Sequence, residues 1–281
     1  NVWESVNQTN IGTDLYFLKS RLSATFDYFI KENDQMLSSI AFPSVLGGTA
    51  PKTNSGSLST KGWEVTINWQ ETKKDYSYNI SVNMSNTTNL LKNVQGDTTY
   101  GAGRYNVNGY PLNSWFVYKT DGYFKDQADV DAYYAKYGTS TGLSGFPQTN
   151  ASVALRQGDT KKVAGPNGIT SVGQKQSALV YKGDANPHYV FGINLGGSFK
   201  NFDVSAFFQG WLKQTIQRNG WMAYPFSSLT SNQNPTFLGK TWTEENPDAE
   251  FPRLTVNTNR ARWNYANNDF MLQNNRYIRL K

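Results

Sequence analysis

The chain has 281 residues, 38% hydrophobic and 15% aromatic, with 27 basic and 21 acidic side chains for a net charge of +6, no cysteine and one histidine. This apolar content excludes a disordered chain. The absence of cysteine excludes disulfides, thiolate catalysis and zinc–thiolate centres, and basic residues scattered without runs argue against a nucleic-acid partner. Mean hydropathy is −0.60 and no run of about 18 apolar residues occurs, so no transmembrane helix can be drawn. Membrane-spanning strands need only about ten alternating residues each and stay open. The chain starts NVWESV, without an initiator methionine or targeting segment, and is expected to be processed or partial.

Residues 10–18 alternate Ile11, Thr13, Leu15 and Phe17 with Gly12, Asp14, Tyr16 and Leu18, the period of a strand. Lys19-Ser20 permits a tight reversal. Residues 21–30 return with Leu22, Ala24, Phe26, Tyr28 and Ile30 on one face and Ser23, Thr25 and Asp27 on the other. A polar connection over about 31–60 leads to the clearest hairpin. There Trp63, Val65, Ile67 and Trp69 alternate with Glu64, Thr66, Asn68 and Gln70; a charged ETKKD turn follows; then Tyr78, Ile80, Val82 and Met84 alternate with Asn79, Ser81, Asn83 and Ser85.

From about 87 to 187 the alternation disappears, over a length that predicts a functional loop or an inserted subdomain. Within it residues 125–137 predict a short bracing helix, with Val130, Tyr133, Tyr134 and Tyr137 at helical spacing. Alternation resumes over 189–195, turns through GGSFK and returns over 202–212. A further long stretch, about 213–272, precedes a last strand in 275–281.

Short and long connections therefore alternate along the chain. Short turns at one rim and long loops at the other are the pattern of an outer-membrane barrel, apolar towards lipid and polar towards a wet lumen. The alternative is a soluble carbohydrate-binding or adhesin β-sandwich, which needs a second sheet over its apolar face. Seven strands do not close a barrel, and an open edge in lipid leaves backbone groups unsatisfied at several kcal/mol each. The expected fold class is all-β: a transmembrane antiparallel β-barrel, present as a partial arc. Residues 1–281 are expected to form part of one outer-membrane barrel domain, with long extracellular loops at about 31–60, 87–187 and 213–272.

Several words carry a resemblance in a fixed order: Trp3-Glu4, the DQML of 34–37 with Pro43 and Gly47-Gly48, and Asn54-Ser55-Gly56 before KGWEVTINW. Further on stand TDGYF at 120–124, YKGDANPHYVFGINLGGSFKNFDVSAFFQG at 181–210, WTEENPDAEFPRL at 242–254 and RYIRLK at 276–281. With these the chain resembles the SusC/RagA class of TonB-linked outer-membrane transporters of the Bacteroidetes. The resemblance implies a 22-stranded barrel whose plug and final strands lie outside this chain, drive from TonB, and a SusD-like surface lipoprotein as a lid. It implies import of an oligosaccharide or an oligopeptide. The class often carries an acidic calcium-like loop before GDANP; here the stretch reads GDTKKVAGPNGIT, where Asp159 and Asn167 remain beside Lys161 and Lys162, so no metal is expected.

No catalytic set can be built around the lone His188, which reads as a polar residue where a strand begins. Carboxylates such as Glu244-Glu245, or Asp248 with Glu250, have glycosidase chemistry available, but they sit in a word the resemblance explains, and the chain is read as a non-enzyme without a cofactor. Loop aromatics, among them Phe116, Tyr123, Phe124, Trp221 and Tyr224, serve either as cargo contacts or as a membrane girdle. The residues expected to meet cargo are Asn83, Ser85, Gln209 and Trp211 on strands leading into the longest loops, with Trp115 and Tyr118 inside the first of those loops. Amides, hydroxyls and stacking rings suit a neutral, hydrated cargo, so a glycan is expected ahead of a peptide.

Overall fold

The computed structural model describes residues 2–39, 47, 52–93, 101–137, 154–163, 179–220, 223, 225, 235–265 and 267–281. Four long strands come first: β1 (Ser5–Phe17), β2 (Leu22–Ser39), β3 (Lys52–Thr72) and β4 (Tyr76–Asn93). Shorter pieces follow: β5 (Gly103–Tyr105), β6 (Ser114–Tyr118), β7 (Thr120–Tyr123), helix α1 (Gln127–Tyr137), β8 (Thr160–Lys162) and β9 (Leu179–Asp184). Then come β10 (His188–Phe199), β11 (Phe202–Lys213), β12 (Thr215–Gln217), helix α2 (Thr258–Tyr265), β13 (Leu272–Asn274) and β14 (Tyr277–Leu280).

The seven strands expected from alternation form one antiparallel sheet in the order β1-β2-β3-β4-β10-β11-β14, with β1 and β14 as its edges. Residues directly opposed in an antiparallel sheet share a face, so the register can be read as rows. One row runs Leu15, Ala24, Ile67, Val82, Ile193, Phe208 and Leu280, apolar across the whole arc. The row one residue along, on the opposite face, runs Asp14, Thr25, Thr66, Asn83, Gly192, Gln209 and Arg279. The apolar face is uncovered: Ile11 is 70% exposed and Val204 72%. No second sheet lies over it among the described residues, so the sandwich alternative lacks the layer it requires.

The strands run past their expected ends. Residues 31–39, 52–60 and 86–93, read as connections, are strand, and GGSF belongs to β10, leaving Lys200 and Asn201 as the turn. The turn at Lys19-Ser20 spans residues 18–21, with Leu18, Lys19 and Ser20 all at positive φ. Strand extension without alternation has a simple cause. Main-chain pairing needs no apolar side, so the ladder continues where polar residues fill both faces of the sequence pattern and the period-2 signal vanishes. A bulge at Gln35, φ 59°, bends β2 in this stretch.

The core lies in the long connections. Phe116, Tyr118, Phe124, Val130, Tyr133, Leu155, Leu179 and Trp263 form one buried cluster, and Phe237, Phe251, Tyr265 and Met271 with Ala223 form a second. Trp263 joins the later connection to the earlier one: its Nε1 donates to Thr160 O at 2.7 Å. The inserted-subdomain expectation for 87–187 thus extends to residues of the later connection. The predicted helix is present as α1. Asp126 caps it by accepting from Asp129 N at 2.8 Å, and Val130 and Tyr133 face the core.

Lys162 is 4% exposed, with its ammonium 4.0 Å from the ring centre of Tyr118 and 4.3 Å from that of Trp263. Burial pushes its pKa down to about 7, while the two π-faces favour the charged form and oppose that shift. A lysine with a depressed folded pKa is penalised most where the unfolded chain binds the extra proton, so stability rises as pH climbs from about 7 towards the ordinary lysine value.

Two outcomes follow. Arginine in place of Ile67 or Val82 destabilises the barrel by roughly 2–4 kcal/mol if the row lies near a bilayer midplane, measured by equilibrium unfolding in lipid vesicles. Lys162→Met stabilises the loop subdomain, and more at pH 6 than at pH 9, by up to about 2–3 kcal/mol. Protease resistance of the loops at both pH values reads this out; an equal gain at both excludes titration as the cause.

Candidate functional site

The polar face carries four of the expected cargo residues as one patch. Asn83 and Gln209 stand in one row with Gly192 between them, and Ser85 and Trp211 stand in the next same-face row with Val190 between them. Gly192 has a steric reason: a Cβ there would lie 3.0 Å from both terminal atoms of the Asn83 amide, which leans across it. Trp211 is held edge-on to Tyr277, ring centres 4.3 Å apart, and its Nε1 donates to Asn275 O at 2.7 Å. The patch therefore offers free amide and hydroxyl groups at its centre and a fixed aromatic pair at its rim.

The other two expected residues are placed differently. Trp115 Nε1 donates to Thr215 O at 2.8 Å, binding β6 to β12 near the top of β11. Tyr118 belongs to the buried cluster, with its phenol pushed up to about 12 by burial. The expectation that Tyr118 meets cargo is corrected on this point. It shares a face of β6 with Phe116, which is 1% exposed. Phe124 is core as well. Trp221, Tyr224, Pro43, Gly48 and Asn167 lie outside the described residues.

A polar clasp joins this patch to the loops. His188 Nε2 lies 3.1 Å from both Asp184 carboxylate oxygens, and its Nδ1 lies 3.1 Å from Asn86 Oδ1. Asn86 Oδ1 also accepts from Tyr189 N at 3.3 Å. The end of β9, the start of β10 and the middle of β4 are thereby locked together, a stronger structural part than strand position alone suggested.

Asp159, the acidic survivor of the expected calcium-like stretch, points inward. It accepts from Asn264 Nδ2 at 2.8 Å and from Arg156 N at 3.0 Å. Burial raises its carboxyl pKa against the Asn264 hydrogen bond and the Arg156 charge. Asn264 Oδ1 accepts in turn from Thr160 N at 2.9 Å. Among the described residues no three acidic or histidine side chains converge as metal ligands would.

A second opening was not foreseen as a site. A cleft of about 860 Å³ lies between β7 and residues 242–249, with Asp121, Lys125, Gln157, Glu244 and Asp248 on its walls. Most of its residues come from the TDGYF and WTEENPD words, and only their distance in sequence hid their meeting. Gly158, at φ 83°, is what lets the Trp242 ring pack against the backbone there, since a Cβ would collide with it.

No family model matches the chain. It is 23% identical to TonB-dependent receptor P3 of Formosa agariphila over 99% of its own length and 26% of that relative's. It is 24% identical to TonB-dependent receptor P26 of the same organism, over 89% of its own length and 24% of that relative's. In fold it is similar to the RagAB peptide transporter, with a TM-score of 0.68 at 21% identity over 99% of this chain and 28% of that one. To the open-open state of the RagAB peptide importer the TM-score is 0.69, at 20% identity over 28% of that chain. The chain thus spans about a quarter of the length of the relatives it matches. Over the part it spans, the chain is similar in sequence to TonB-dependent receptors and in fold to the RagAB peptide transporter.

Proposed function

We propose that the protein carrying this chain is an outer-membrane importer driven through TonB, and that its cargo is an oligosaccharide. The observation that carries the reading is the paired set of rows: an uncovered apolar row over seven strands backing a polar row that is amide, hydroxyl and glycine on the five inner strands, with Asp14 and Arg279 at its ends. That is the division of a wall between lipid and water. Within that row Thr25, Thr66, Asn83, Gly192 and Gln209 form an uncharged run, which suits a neutral, hydrated solute. The seven strands are then the wall, the subdomain of the long connections is extracellular, and the plug belongs to parts of the protein outside this stretch. A SusD-like lipoprotein resting on that subdomain as a lid is part of the same proposal; the RagAB complexes, similar in fold, support it.

A second reading, oligopeptide import, is favoured by the peptide named for those RagAB structures. The cargo residues proposed for either are Asn83, Ser85, Gln209 and Trp211, together with Trp115. The whole protein is expected to fractionate with outer membranes, and to co-purify in detergent with a lipoprotein encoded beside it. Recovery from a detergent-free soluble fraction overturns the reading. Replacing Asn83 and Gln209 with alanine should lower TonB-dependent oligosaccharide uptake about tenfold, the loss of roughly one or two hydrogen bonds, with assembly unchanged. Parental uptake by that variant removes these residues from the cargo path, and uptake of peptides alone selects the second reading.

A further inference from the structure

The cleft between β7 and residues 242–249 has the size of a small-molecule site, and two of its three carboxylates are unpaired among the described residues. Three other carboxylates of these loops are taken. Asp269 accepts from Thr120 Oγ1 at 2.6 Å, Glu250 pairs with Arg218 at 2.8 Å, and Asp129 pairs with Lys161 at 2.6 Å. Of the three carboxylates in the cleft, only Glu244 has a partner among the described residues, Gln157 Nε2 at 2.6 Å; Asp121 and Asp248 have none. Three carboxylates face one ammonium, that of Lys125. They do not converge on a point as metal ligands do; they are spread over walls that also carry the rings of Tyr123, Trp242 and Phe270. Dispersed, unpaired anions separated by aromatic surface complement a ligand whose cationic groups are themselves spaced along an apolar or ring-bearing body.

We propose that this cleft binds an extended ligand bearing amine groups, its ammonium groups set against Asp121, Asp248 and the free oxygen of Glu244 and its body against the rings. An amino-sugar oligomer and a lysine-bearing oligopeptide share this chemistry. The inference goes beyond the import reading, since it concerns charge selection at the loops and is measured by binding without transport.

The test uses the full-length protein in detergent and calorimetric titration with two matched pairs: a glucosamine oligomer with its N-acetylated counterpart, and a lysine-containing oligopeptide with its acetylated counterpart. The amine form of at least one pair is expected to bind about tenfold more tightly than its acetylated partner and to weaken as salt rises; whichever pair responds identifies the source. Asp121→Asn with Asp248→Asn, both at exposed positions, should reduce that binding about three- to tenfold and leave the acetylated form unaffected. Equal binding of amine and acetylated forms in both pairs, or parental affinity in the double variant, overturns the proposal. Loss of TonB-dependent uptake with amine binding intact would instead count against the import reading alone.

Discussion

Register across the seven-stranded sheet is the constraint on which the rest depends. Side chains alternate with a period of two, so a slip of one residue between any two strands would turn a wet row to the apolar side and an apolar row to water. In a bilayer, unlike in a soluble sheet, the misplaced polar groups would find no water to bond. The pairing of Val82 with Ile193 and of Asn83 with Gly192 is therefore one decision, not two. The same register sets Ser85 and Asn83 opposite the residues that bring Trp211 and Gln209 beside them. The patch is a by-product of keeping the outer face greasy.

Above the wall, a different physics holds the long connections. Two modest apolar clusters are supplemented by a buried polar network in which Asp159, Thr160 and Asn264 satisfy one another. Thr160 O also receives the Trp263 indole N–H, and Asn268 Nδ2 donates to Asn264 O at 2.7 Å. A network like this specifies one docking of the two connections, because any other leaves buried amides unpaired. Lys162 is the discordant member, a buried ammonium held by ring faces instead of a carboxylate. The His188–Asp184–Asn86 clasp then fixes the subdomain to the wall at β4 and β10.

The two polar surfaces differ in character. Where the candidate residues lie, the face of the wall carries amides, hydroxyls and glycine, with Glu64 beside Ser85 and Arg279 beside Gln209. The loop cleft is acidic and ringed with aromatic surface.

The alternation of Trp63 to Trp69 and of Tyr78 to Met84, together with the unequal loops, determined from sequence alone the seven strands, their order and which side of each is apolar, because those are local consequences of a two-residue period. It also placed α1, whose spacing is equally local. The strand extensions beyond Ile30 and Ser85 were hidden, since the ladder there continues through polar and glycine positions that do not alternate with apolar ones. Only the tertiary structure decided that Tyr118 is core, that Asp159 reaches Asn264 across about a hundred residues of chain, and that Asp121 and Asp248 share a cleft. Each of these depends on two distant segments folding against each other, and no spacing within either segment encodes which side chains will meet.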